Sequence, residues 1–258
     1  MITDVGIEEF LQFGSQKVPF WIYGDKKKQK IIFIHGFPVP FSDMEGDLPI
    51  HYLKRDYCVV CFDLPGFGVS KKLTVQPVTL LEKLKNKVAP KEKVVLYGVS
   101  YGGLVTLQYA QKNPEDIKAI IIAGTPSFRK VVLYGGRLAS RLPSNIQLRL
   151  INILFSNRES LKKLAEAVFT QKASAVLSNF SFLDKKSLAQ IKTPVLLLYS
   201  QKDSVAPIKS GKKLNEYLHE SKLVITDSRT HGWLLHRIDE SGFLEEIEQF
   251  LSNVYKNT

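Results

Sequence analysis

Apolar residues follow two rhythms along the chain. Short apolar runs occur at Ile31-Ile32-Phe33-Ile34, Tyr57 to Phe62, Val94 to Tyr97, Ile117 to Ala123 (broken once, by Lys118) and Pro194 to Tyr199. Runs of this length suit strands covered on both faces, as in a parallel sheet. Between them, Leu80 to Val88, the stretch after Ser100 to Asn113-Pro114, and Ile208 to Leu218 read as helices. A short helix is expected near Asp47 to Lys54, and a closing helix over Trp233 to Val254. Glu9 to Phe13 and Val18 to Tyr23 flank Gly14-Ser15 as a hairpin, and Lys222 to Thr226 is a late strand. Strands alternating with helices imply an α/β chain whose mostly parallel sheet carries helices on both faces.

The rhythm changes from about Pro126 to Gln190, where no strand is evident. Leu142, Ile146, Leu150 and Ile153-Leu154 recur at helical spacing, as do Leu161, Leu164, Ala165 and Val168. The segment is too apolar to be a disordered linker. It reads as a helical insertion at 126–190, between core segments 1–125 and 191–258.

Charge sharpens this reading. The 258 residues carry a formal net charge of +11. Part of it lies in the insertion, where eleven basic residues, from Arg129 and Lys130 to Lys185 and Lys186, face Glu159, Glu166 and Asp184. Phe128, Phe155, Phe169, Phe180 and Phe182 share that segment. An insertion of this kind could cover an apolar acyl pocket while its basic face meets anionic lipid, as a peripheral contact, or a carboxylated substrate. Alternatively, its apolar residues pack cap on core and its charges are solvated. No nucleic-acid motif accompanies the charge, so nucleic acid is not expected as a partner.

No run approaches the roughly 20 apolar residues of a membrane span. Met1-Ile2-Thr3-Asp4 lacks the features of a signal peptide, and a cytoplasmic protein is expected. Cys58 and Cys61 fall three apart on one predicted strand, so they point to opposite faces and fill space instead of forming a redox pair.

The chemistry concentrates where the run Val94 to Tyr97 ends in Gly98-Val99-Ser100-Tyr101-Gly102-Gly103. Gly-x-Ser-x-Gly between a strand and a helix is the setting of a nucleophile elbow. The glycines let backbone pass close by, and the new helix aims its first amides at one point. A serine hydroxyl is a weak nucleophile and needs a base, itself held by a third group. Asp203 lies four residues beyond the strand at Tyr199, and His231 lies in the loop after the following strand. Parallel strands set their C-terminal ends along one rim, so Ser100, Asp203 and His231 can converge. Asp203 also reads as a helix cap ahead of Pro207, and Asp227 is a competing acid.

The order Ser100, Asp203, His231 resembles the α/β-hydrolase family, as do His35-Gly36-Phe37-Pro38 and Asp63-Leu64-Pro65-Gly66-Phe67-Gly68-Val69-Ser70. The likeness runs from about Phe10 to Val254. It implies an α/β-hydrolase core with a helical cap inserted between the sixth and seventh core strands. Ser100 would attack a carbonyl carbon, His231 would carry its proton, and Asp203 would fix the imidazole. The backbone N–H groups of Phe37 and Tyr101 would form the oxyanion hole. Asp63 would shape its loop, and His35 would brace the oxyanion loop. No cofactor and no metal are expected.

The resulting expectation is a carboxylic-ester hydrolase acting through an acyl-enzyme on a small-molecule ester or acyl substrate. Two rivals stand beside it. One is hydrolysis of a carbon–carbon bond in a vinylogous diketone. The other is a ligand receptor that keeps the triad but turns over slowly.

Overall fold

The architecture is that of a computed structural model describing residues 6–37, 39–44, 49–126, 184–203, 205–227, 231 and 242–256. Eight strands form one sheet in the order β1-β2-β4-β3-β5-β6-β7-β8. They are β1 (Ile7–Phe13), β2 (Gln16–Tyr23), β3 (Lys30–Ile34), β4 (Cys58–Phe62), β5 (Val94–Val99), β6 (Ile117–Ala123), β7 (Val195–Ser200) and β8 (Ser221–Thr226). Hairpin β1–β2 is antiparallel, and β2 joins β4 antiparallel. Every other neighbouring pair is parallel. The expected mostly parallel sheet is therefore present.

Continuous apolar runs became central strands because both sheet faces are covered. Every residue of β3, β4, β5 and β7 is buried. On one face Ile32, Ile34, Val60, Leu96, Ile122 and Leu197 pack under helices α2 (Pro77–Val88), α3 (Tyr101–Lys112) and α5 (Ile208–Tyr217). On the other, Phe33, Val59, Val95, Ile121 and Leu198 meet α1 (Pro49–Leu53) and α6 (Phe243–Lys256). Cys58 and Cys61 divide between the two faces, both buried as free thiols. Burial pushes the Cys61 thiol well above its usual range.

The strand order reverses at one place. From β3 the chain moves outward to β4, then returns to lay β5 on the other side of β3. This reversal is a topological switch point, and open α/β sheets bind ligands at the C-terminal strand ends of such a point. Register pairs Ile34 with Gly98, so His35-Gly36-Phe37 and Ser100 leave the sheet side by side.

One expectation shifts. The closing helix begins at Phe243, not Trp233. Gly242 precedes it at φ +73°, a left-handed conformation that interrupts a helix. Residues 232–241, in the first part of the expected helix, lie outside the described residues. So do residues 127–183, with the basic positions from Arg129 to Lys172. At the end of the 126–190 span, α4 (Lys185–Leu188) packs on the core through Leu188 and is capped by the Asp184 carboxylate, which accepts from Ser187 N–H at 2.9 Å. Among the described residues no helix is long and apolar enough to cross a membrane.

Candidate active site

Ser100 stands between β5 and α3 with φ +50° and ψ −112°. Among the described residues it alone has a positive φ without being glycine. Such a conformation costs about 1–3 kcal/mol and persists only where its surroundings over-determine it. Here they do. The Ser100 N–H donates to the Ala123 carbonyl at 2.8 Å, and the Ser100 carbonyl accepts from the Gly103 N–H at 3.1 Å. A Cβ on Gly102 would collide with the carbonyl oxygens of Ile34 and His35, so α3 starts hard against the end of β3. A Cβ on Gly36 would lie 3.0 Å from the Ser100 Cβ, which fixes how closely the β3 loop passes the serine.

His231 and Asp203 meet this serine from two further loops. The His231 Nε2 lies 3.2 Å from the Ser100 Oγ, and its Nδ1 lies 2.7 Å from the Asp203 Oδ2. A carboxylate accepts, so Nδ1 carries the proton and Nε2 offers its lone pair to the hydroxyl. The outer contact is long for an O–H donor. Such contacts tighten when substrate binds. Ser100, Asp203 and His231 are 8%, 3% and 9% exposed, so the pairings are shielded while the serine keeps an open edge.

The Asp203 carboxylate makes two sets of contacts. Its Oδ1 accepts from the Val205 and Ala206 N–H groups at 2.9 and 2.7 Å, leaving Oδ2 for His231. It caps a turn rather than helix α5, whose N-cap is Pro207. Asp227, the competing acid, is exposed and accepts a hydrogen bond from the Gln201 side chain.

The adjoining loops are braced by buried groups. The Asp63 carboxylate accepts from Ser42 N–H at 3.0 Å, Ser42 O–H at 2.6 Å and Val69 N–H at 2.9 Å, which folds the Asp63–Ser70 turn. His35 is wholly buried. Its Nε2 accepts from the Leu64 N–H at 2.8 Å and its Nδ1 donates to the Gly36 carbonyl at 2.7 Å. Burial lowers its pKa, against the opposing pull of the Asp63 charge. A neutral imidazole is what these two bonds require. Phe67 lies edge-on to both His35 and Phe37, at 5.4 and 5.9 Å between centroids.

Of the two expected oxyanion donors, Tyr101 is the first residue of α3, and Phe37 follows Gly36 where that loop passes Ser100. Tyr101 is no rival base, because burial pushes its phenol up to about 12. Pro38 lies outside the described residues. Among the described residues no three His, Cys, Asp or Glu side chains cluster as a metal site requires.

Sequence reading missed Thr125 and Tyr199. The Thr125 hydroxyl donates to the Ser100 carbonyl at 2.9 Å, and the Tyr199 hydroxyl donates to the Thr125 carbonyl at 2.5 Å. They sit 25 and 74 residues apart along the chain in these bonds, and no local motif joins them.

Comparison with known proteins bears on the fold and the family. The profile of the alpha/beta hydrolase family matches residues 31–240. The chain is 26% identical over 242 residues to a pimeloyl-[acyl-carrier protein] methyl ester esterase of Vibrio parahaemolyticus, covering 85% of this chain and 93% of the relative. An esterase from Rhodococcus sp. ECU1013 superposes with a TM-score of 0.74 at 19% identity, over 97% of this chain and 99% of that one. A 2-hydroxy-6-oxo-6-phenylhexa-2,4-dienoate hydrolase from Rhodococcus sp. strain RHA1 gives 0.73 at 20% identity, over 96% and 99%. The chain belongs to the alpha/beta hydrolase family.

Proposed function

We propose that this member of the family is a serine hydrolase of carboxylic esters that works through an acyl-enzyme. The observation that carries the reading is the hydrogen-bonded series Ser100 Oγ, His231 Nε2, His231 Nδ1, Asp203 Oδ2, built on a strained strand-to-helix turn. In the proposed cycle His231 Nε2 takes the hydroxyl proton while Ser100 Oγ attacks the ester carbon. The tetrahedral oxyanion is received by the N–H groups of Phe37 and Tyr101. Losing one such donor costs about 3 kcal/mol in the barrier. The imidazolium, steadied by Asp203, then protonates the departing alcohol. Water repeats the sequence on the acyl-enzyme, with His231 as base, and releases the acid.

The Vibrio relative is by name an esterase of a pimeloyl-[acyl-carrier protein] methyl ester. That supports a small alcohol leaving group and an acyl chain as the substrate class here. A small leaving group needs little room on its side of the serine, so selectivity falls on the acyl side.

Labelling with a fluorophosphonate, followed by an acyl chain-length series of methyl and p-nitrophenyl esters, tests the reading. Wild-type protein should label at Ser100 and hydrolyse the series. Ser100→Ala should lower kcat on the order of a millionfold without changing the circular dichroism spectrum. Undiminished turnover by that variant removes Ser100 from the mechanism. A protein that labels but cleaves only vinylogous diketones belongs to the carbon–carbon reading. One that binds esters with thermal stabilisation and negligible turnover is a receptor.

A further inference from the structure

The geometry points to Thr125 and Tyr199 as positioning residues that hold the nucleophile turn in its reactive conformation, through a strut running from strand β7 to the Ser100 carbonyl. The inference rests on Ser100 acting as the nucleophile.

The strut has three links. Ser100 N–H donates to Ala123 O at 2.8 Å, at the end of β6. Two residues on, Thr125 Oγ1 returns a hydrogen bond to Ser100 O at 2.9 Å. Thr125 O then accepts the Tyr199 phenol at 2.5 Å. The Ser100 residue is thus held at both its amide and its carbonyl by one short segment, residues 123–125. That segment is anchored to β7 a second time, by the Gly124 N–H donating to Leu198 O at 2.9 Å.

The consequence concerns ψ of Ser100. Its value of −112° is unfavourable for an L-residue, and relaxation would swing the carbonyl away from Thr125 Oγ1. The Thr125 hydroxyl therefore opposes the rotation that would carry Ser100 Oγ off His231 Nε2. Thr125 is itself fixed. It is wholly buried, and its Oγ1 lies so close over Gly103 that a Cβ there would strike it. Tyr199 is wholly buried and packs against Gly211 of α5, where a Cβ would come within 2.6 Å of its ring. Burial keeps the Tyr199 phenol protonated, so it stays a donor throughout the working pH range.

The anchor strand also matters. Tyr199 lies four residues before Asp203, on the strand that delivers the carboxylate to His231. The same strand thus carries the acid and braces the nucleophile. Misplacing reacting groups by about an ångström lowers rates by up to roughly a hundredfold, so a strut of this kind acts on the rate without touching substrate.

The test compares Thr125→Val, Thr125→Ser and Tyr199→Phe with wild type. The first readout is the fluorophosphonate labelling rate, which reports the reactive hydroxyl whatever the natural substrate. The second is kcat and KM on a short aryl ester, and the third is Tm. Thr125→Val keeps the shape and loses the hydroxyl; it should slow labelling and kcat about tenfold with KM within about twofold. Thr125→Ser should restore both to within about threefold, and Tyr199→Phe should fall between them. Equal rates for Thr125→Val and wild type would overturn the strut, as would equal impairment of Thr125→Val and Thr125→Ser. A wild-type protein that labels but hydrolyses no ester defeats the ester reading alone, and the labelling rates still decide the strut. A wild-type protein that does not label defeats both.

Discussion

Asp203 divides its carboxylate between two tasks. Oδ1 closes the turn to Val205 and Ala206, and Oδ2 orients His231. Substitutions can separate the tasks. Asp203→Asn keeps an oxygen for the turn but presents an amide N–H to His231 Nδ1. The imidazole must then place its proton on Nε2, where it cannot receive the Ser100 hydroxyl. We expect kcat to fall about ten-thousandfold, as removal of the orienting charge does in serine proteases, while folding changes little. Asp203→Ala should add a folding loss of about 1–3 kcal/mol, because the buried Ala206 N–H and the half-buried Val205 N–H lose their acceptor. Steady-state kinetics beside urea melts read both quantities. Similar stability for the two variants would mean the turn does not need Oδ1.

Among the elements, the contact between α3 and β3 constrains the site through backbone atoms. Gly102 sits where the helix presses on the carbonyls of Ile34 and His35. Backbone atoms cannot step aside as a flexible side chain does. Gly102→Ala should therefore cost about 2–4 kcal/mol in urea denaturation, with activity falling further than stability because the turn shifts with the helix. At the other end of α3, the Tyr109 phenol donates to Asp116 Oδ2 at 2.6 Å, and Lys85 of α2 pairs with the same carboxylate. Tyr109→Phe should cost about 1 kcal/mol and leave kcat unchanged, since this network lies beyond the sheet's far end from Ser100. A loss of activity there would show that α3 transmits strain along its length.

On the scale of the whole molecule, stability carries a pH signature from one buried imidazole. His35 has its pKa lowered by burial from an unperturbed value of 6.5. As pH falls below about 6.5, the unfolded chain takes up a proton at this residue that the native protein refuses. Unfolding therefore becomes easier on acidification, by up to about 1.4 kcal/mol per pH unit, until the native imidazole also protonates. Above that window the residue contributes no pH dependence. His35→Gln offers an oxygen to the Leu64 N–H and does not titrate. Urea melts between pH 5 and 7 should show a shallower slope for this variant by as much as one proton. Parallel slopes would place the proton uptake elsewhere. The alternation of runs and helical periods fixed this layered architecture in advance, since a four- to six-residue apolar stretch without polar alternation has to be covered on both faces.

Sequence alone determined the layered α/β class, most strand and helix spans, and the identity of Ser100, Asp203 and His231 as candidates, because apolar periodicity and turn chemistry are local properties. The start of the last helix at Phe243 was less legible, since one glycine's left-handed conformation outweighed an apolar pattern running through it. Tertiary structure decided what depends on distance across the sheet: that His231 reaches Ser100 across 131 residues of chain, that Asp203 serves a turn and an imidazole together, and that Thr125 and Tyr199 secure the serine. Those pairings arise from strand order and register, which place remote residues side by side without leaving a local mark in the chain.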